Sequence, residues 1–326
     1  MRRAVASAFP AALVTSALVV FPAVGGRYEV DLVSTMFVLA ILALSLQLLV
    51  GQAGLVSLGH AAFMALGAYT AAFLLRAPGP RSLWLMALAG MGVAATYALP
   101  VAALSLRTRG VYFIMVTLAF AQLVYFVLHD TGIAGGSDGV SVTGVPELSF
   151  FGWVPFDVTR SRPFYYTALV ILIMVFALLT LLGRSRFGRA LTGIRLNEQR
   201  MRAVGFSTYP YKIGAFVVAA MLAGLAGVLR AAKDGYVNPE LSSWHQSGAV
   251  LVMIILGGVG RLRGAVIGAF TFVLLQELFR EEALFGALAR RWQLMLGLTI
   301  IASGMLLPAG LAGLSLRLRL RRRARG

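Results

Sequence analysis

The chain has 326 residues, 59% of them hydrophobic and only 13% charged, with a mean hydropathy of +0.85. Globular soluble proteins keep about 25% of their residues charged, so an ordinary soluble enzyme is excluded. The absence of cysteine removes disulfide scaffolds, thiolate metal sites and cysteine nucleophiles, and a net charge of +17 in so apolar a chain points to membrane orientation rather than nucleic acid.

A membrane-crossing helix needs about 20 mostly apolar residues. The chain supplies up to ten such runs, and a count of eight to ten is expected. The first, 8–25, follows Arg2 and Arg3 and has the layout of a signal peptide. Its apolar run is long for a cleaved signal, so a retained first helix is expected. The second lies near 32–50. The third, within 51–75, begins with Gly51-Gln52-Ala53-Gly54-Leu55-Val56-Ser57-Leu58-Gly59-His60, where glycines weaken the helix and Gln52, Ser57 and His60 stand at membrane depth. An interrupted helix there must satisfy its free backbone groups by lining a cavity or meeting other protein. Runs follow at 83–105 and 111–128, the latter carrying Gln122. A Gly-, Ser- and Pro-rich segment, 129–163, reads as an outer loop that includes Trp153 and Pro155.

After the run at 164–182 comes a basic segment, 184–212. In it Phe187, Ala190, Leu191 and Ile194 recur at helical spacing with arginines on the other face. Gly205 stands where a helix ends and Pro210 blocks continuation, which predicts one short amphipathic helix. Such a helix either lies on anionic lipid or docks a cytoplasmic partner. The remaining runs are 213–229, two short ones within 247–280 split by a second break at 257–264, and 292–309. Paired small residues such as Gly224 with Gly227 and Gly264 with Gly268 suit close helix packing in lipid.

With the N-terminus inside and ten alternating spans, the inner segments hold 19 of the 29 basic residues and one of the 12 acids, Glu198. The inner side then carries +18 and the outer −1, as the positive-inside rule requires. The arginines from Arg317 to Arg325 form an inner tail suited to anchoring on lipid.

Chemistry is scarce. A phosphate-binding loop needs Gly-Lys followed by Ser or Thr, and the two lysines, Lys212 and Lys233, follow Tyr211 and Ala232. The three histidines, His60, His129 and His245, are far apart and lack a metal-site spacing. Gly135-Gly136-Ser137-Asp138-Gly139 matches the nucleophile-elbow pattern but follows an apolar helix rather than a strand, so a turn is expected. The spans carry almost no carboxylates of the kind that bind a coupling ion, Glu277 lying near a helix end. These features describe a pathway whose energy comes from elsewhere.

The stretch Gly51 to Phe63 with Gly67-Ala68-Tyr69-Thr70, then Arg107-Thr108-Arg109-Gly110, Gly135 to Gly139, Arg184 to Gly205, Gly224-Leu225-Ala226-Gly227, Gly257 to Gly260 and Pro308 to Leu311 resemble, in order, the motifs of LivM-type branched-chain amino acid ABC importer permeases. The resemblance covers most of the chain. It implies an all-α polytopic membrane protein, a single permease domain over 1–326, in the bacterial inner membrane with both termini cytoplasmic. It implies no cofactor in this chain, with ATP on a separate ATPase subunit, a second homologous permease and an external substrate-binding protein as partners. The helix from Phe187 to Gly205 is then the coupling helix that docks the ATPase, with Arg195, Asn197, Glu198, Ala203 and Gly205 on its pattern. Leu196 departs from that pattern, which commonly has an acid there. Gln52, Ser57 and His60, with Gln122 behind them, are the candidate translocation path. Related permeases carry urea or short amides, which leaves the cargo open. An ion-coupled transporter and an intramembrane hydrolase using Ser137 and His129 are the readings from other classes.

Overall fold

The computed structural model describes residues 16–77, 82–142, 144, 147, 161–307 and 310–313. The arginine tail from Arg317, the start of the first apolar run and most of the outer loop, Trp153 and Pro155 included, lie outside the described residues.

Helices stand at all ten apolar runs. In chain order they are α1 (16–24), α2 (Arg27–Gln47), α3 (His60–Arg76), α4 (Leu83–Ser105), α5 (Val111–Asp130), α6 (Ser161–Arg184), α7 (Arg186–Leu196), α8 (Glu198–Ala203), α9 (Thr208–Asp234), α10 (Trp244–Gly257), α11 (Leu262–Arg280), α12 (Glu282–Phe285) and α13 (Trp292–Leu306). Seven helices among the described residues are long and apolar enough to cross a membrane. Helices α3 and α10 are shorter, with 17 and 14 residues, because glycine-rich breaks cut the start of α3 and the end of α10. The chain is a multi-pass membrane protein built almost wholly of helix.

Beyond its charged first turn, helix α2 is almost wholly apolar and buried, and α6, α9, α10 and α11 pack around it, the arrangement expected for a helix with no polar face. Helix α9 runs along both α3 and α4. Glycines make that approach possible: a Cβ on Gly67 would collide with the Gly224 carbonyl, and one on Gly227 with that of Met64. The pair α10 and α11 meets in the same way through Gly257 and Gly268. Helices α5 and α13 are peripheral and expose most of their apolar side chains.

Contacts sort the charged residues into two ends. At one, Lys233 pairs with Asp31 at 2.9 Å, Tyr28 hydrogen-bonds Glu277, and two-residue strands pair Val140 with Val237 and Ser141 with Tyr236. There Gly135 to Gly139 forms 3-10 turns held by the Tyr236 hydroxyl donating to the Asp138 carbonyl at 2.5 Å. Ser137 faces Asp138 while His129 pairs with Asp130. The opposite end carries α7, α8 and the turn between α4 and α5, with Tyr209 donating to the Ala103 carbonyl at 2.8 Å.

Candidate functional site

The break after α2 is a π-helix, Leu48–Ala53, closed by Gly54 at φ 71°. A π-turn widens the ladder by one residue and is frequent at functional sites. Residues 55–59 then run without helix until α3 starts at His60. The free donors are met by protein rather than by a cavity. Leu55 N–H donates to Leu49 O at 3.0 Å, Gly59 N–H to Ser57 Oγ at 3.2 Å and Ala61 N–H to Ser247 Oγ of α10 at 3.0 Å. His60 Nε2 lies 2.7 Å from Ser45 Oγ, whose hydroxyl donates to Leu42 O at 2.6 Å. Ser45 therefore accepts from an Nε2–H tautomer, an assignment from the hydrogen-bond pattern.

Gln52, Ser57, His60 and Gln122 do not converge. Ser57 is buried in a tight void with Thr117 and Phe216. Gln52 points to Gly183 on α6, where a Cβ would sit 3.0 Å from its Nε2. Gln122 is on α5, five residues past Thr117, about 7.5 Å along the helix. The four do not line one continuous site among the described residues: Ser57 and His60 help close the helix break, while Gln52 Oε1 and His60 Nδ1 stay buried without a partner among the described residues. Gln47 resembles Gln52 more than its neighbours do. It is 1% exposed, and neither side-chain polar atom has a partner among the described residues. A buried amide of this kind asks for a water or a polar solute. Its sequence signal is a lone glutamine near the end of an apolar run, which reads equally as packing.

At the end carrying α7 and α8, the predicted single helix from Phe187 to Gly205 is two. Helix α7 is capped by Ser185, whose Oγ accepts from Gly188 N–H at 3.2 Å, and buries Ala190, Leu191 and Ile194 as their spacing predicts. The chain then extends at Asn197 (φ −159°), whose side chain accepts from Arg200 N–H at 2.9 Å and starts α8. Asparagine is a strong N-cap, and a cap in mid-segment is what breaks the helix. Gly205 ends α8 at φ 92°, the left-handed closure expected there.

Glu198 accepts from Lys212 at 2.6 Å, Arg202 at 2.8 Å and Thr208 at 2.9 Å. Partial burial raises its carboxyl pKa, but the hydrogen bonds from Lys212, Thr208 and Arg202 outweigh that and hold it at about 2. It thus staples α8 to α9 instead of projecting outward. Arg195 also turns inward. Its guanidinium donates to the Gly51 carbonyl in the π-helix, its stem lies against Gly54, and Gly260 of the second break adjoins it. The large apolar side chains that project furthest here are Leu196 and Val204, 80% and 71% exposed. Ala203 is exposed between them and Asn197 borders them. Apolar residues flanked by Gln199, Arg200 and Arg202 mark a contact surface. Nothing in a lone Leu or Val signals this, since exposure is decided by the break at Asn197.

A family profile described as branched-chain amino acid transport system / permease component matches residues 29–304. The chain is 34% identical over 286 residues to the high-affinity branched-chain amino acid transport system permease protein LivM of Salmonella typhimurium, and 33% over 285 residues to that of Escherichia coli. Each alignment covers 81% of this chain and 66% of the relative, so the chain spans less than the relatives' full length. The autoinducer 2 import system permease protein LsrC of Yersinia enterocolitica is 30% identical over 106 residues, 31% of this chain and 29% of that protein. No solved structure matches.

Proposed function

We propose that this chain, which belongs to the family of branched-chain amino acid transport system permease components, is the membrane subunit of an ATP-driven importer of branched-chain amino acids. It forms the translocation path with a second, homologous permease. ATP is hydrolysed on a separate subunit that docks the α7–α8 hairpin, and an external binding protein delivers cargo to the opposite end. The charge distribution supports placing α7, α8 and both termini on the cytoplasmic side of the inner membrane.

One observation carries this reading. The α7–α8 hairpin presents Leu196 and Val204 outward while Arg195, next to Leu196, donates to the π-helix at Gly51. Movement imposed on the hairpin would pull directly on the segment that interrupts the membrane helix. Leu196, Ala203 and Val204 form the docking surface, Asn197, Glu198 and Gly205 shape it, and Arg195 transmits. The polar residues offered to cargo are Gln47 and Gln52, since their amides keep unpaired atoms.

The test is reconstitution with an ATPase, a second permease and a binding protein of the same importer family from the same cell. Leu196→Asp with Val204→Asp is expected to abolish ATPase co-purification, whereas Arg195→Ala retains the ATPase and loses uptake. Retained ATPase in the first variant would refute docking at this surface. Leucine, isoleucine and valine are expected to be taken up in preference to urea, and uptake that persists without ATP but needs an ion gradient would refute the importer reading.

A further inference from the structure

A cleft of about 870 Å³ opens between the α4–α5 turn and the α7–α8 hairpin. Five cations line it, Arg107, Arg109, Arg195, Arg202 and Lys212, against one carboxylate, Glu198. That carboxylate is already engaged by Arg202 and Lys212, and the Arg195 guanidinium is turned to Gly51. Arg107 and Arg109 have no carboxylate within ion-pairing distance among the described residues. Thr108, Asn197 and Tyr209 add polar groups, and an apolar stretch of the wall comes from Leu55, Val56, Leu106, Phe113 and Ile114. It continues onto the outward face of α5, where Val111 and Tyr112 are largely exposed. The first turn of α5 opens on the same cleft from Gly110, adding free N–H groups to the positive side.

Charge without a counter-ion at the membrane edge, joined to an apolar wall that runs into the bilayer, suits a ligand anionic at one end and apolar along the other. A free phosphate would answer the arginines and leave the wall bare. A neutral lipid would fill the wall and leave the arginines unanswered. We propose that this cleft binds an anionic phospholipid from the adjoining leaflet, its phosphodiester held by Arg107 and Arg109 and the start of an acyl chain along Leu106, Phe113 and Ile114. Basic pockets between membrane helices take anionic headgroups in this way. The bound lipid would bridge the α4–α5 turn to the hairpin, so the composition of the leaflet would set how freely the hairpin moves.

The full chain, extracted from nanodiscs of mixed phosphatidylglycerol and phosphatidylcholine, is examined by native mass spectrometry for retained lipid. Wild type is expected to keep phosphatidylglycerol in preference, a result that needs no variant. In Arg107→Gln with Arg109→Gln the preference should fall on the order of thirtyfold, as two cations near the surface imply. Arg107→Lys with Arg109→Lys should restore most of it. Equal melting of all three proteins in phosphatidylcholine alone would establish that folding is not at issue. Equal retention of the two lipids, or an undiminished preference in the glutamine variant, overturns the proposal. So does a rise in melting temperature with glycerol phosphate alone that equals the rise with phosphatidylglycerol, because the site would then belong to a free anion. If the glutamine variant loses the ATPase but keeps its lipid preference, the cleft belongs to an acidic protein surface and the lipid site is refuted.

Discussion

Arg195→Ala isolates the link between the α7–α8 hairpin and the broken membrane helix. The substitution removes a guanidinium hydrogen bond to the Gly51 carbonyl and the stem that covers Gly54. A hydrogen bond from a charged group is worth about 1.5–3 kcal/mol net. Loss of about 2 kcal/mol from this one tie corresponds to roughly thirtyfold easier opening of the π-turn. Global unfolding is a poor readout, since α2 remains packed on four other helices. Hydrogen exchange resolves local opening: in nanodiscs, amides of residues 48–55 should exchange about thirtyfold faster, among them Leu55, bonded to Leu49 O at 3.0 Å. Those of α9 should be unchanged. Arg195→Lys, a point charge without the planar donor fork of the guanidinium, should recover only part of the protection. Unchanged exchange over 48–55 with faster exchange confined to α7 would refute the link, and Arg195 would then only hold its own helix.

Three further outcomes follow from the same contacts. Glu198→Gln should loosen the α8–α9 junction at neutral pH, lowering the melting temperature in detergent. The carboxyl is depressed from 4.5 to about 2, so its contribution is full above pH 4.5 and is lost as pH falls toward 2; the melting difference between variant and wild type should close over that window. Gln47→Leu removes two unpaired buried amide atoms and should raise stability by about 1–3 kcal/mol, while uptake through the reconstituted importer falls; unchanged uptake would remove Gln47 from the path. Gly227→Ala puts a methyl against the Met64 backbone carbonyl, which should cost about 1–3 kcal/mol by forcing α3 and α9 apart, measured as a lower melting temperature.

Hydropathy and charge are properties of short windows, and they are legible wherever a window decides the outcome. A run of apolar residues must be helical in lipid because its backbone has no other partner, which is why a helix stands at every run. Gly205 was legible for a similar reason, as was the buried face of Leu191 and Ile194: each depends on residues within a turn or two. The Gly51–His60 interruption was visible from its glycines, although its π-turn was not.

What the tertiary structure alone decided is which polar groups find partners. Ser57 and His60 look like path residues in the sequence and take part in closing the break, His60 Nε2 through Ser45 and the start of α3 through Ser247, 187 residues beyond His60, while His60 Nδ1 is left without a partner among the described residues. Gln47, hidden in an apolar run, is the one left with both atoms unpaired. Arg195 and Glu198, which follow a docking pattern, turn to Gly51 and Lys212, and Leu196 becomes the exposed neighbour because Asn197 breaks the helix. A residue's type and spacing determine where it enters the membrane and on which side its charge belongs. Its role is determined by the groups that distant segments bring within about 3 Å of it, the range over which a hydrogen bond forms.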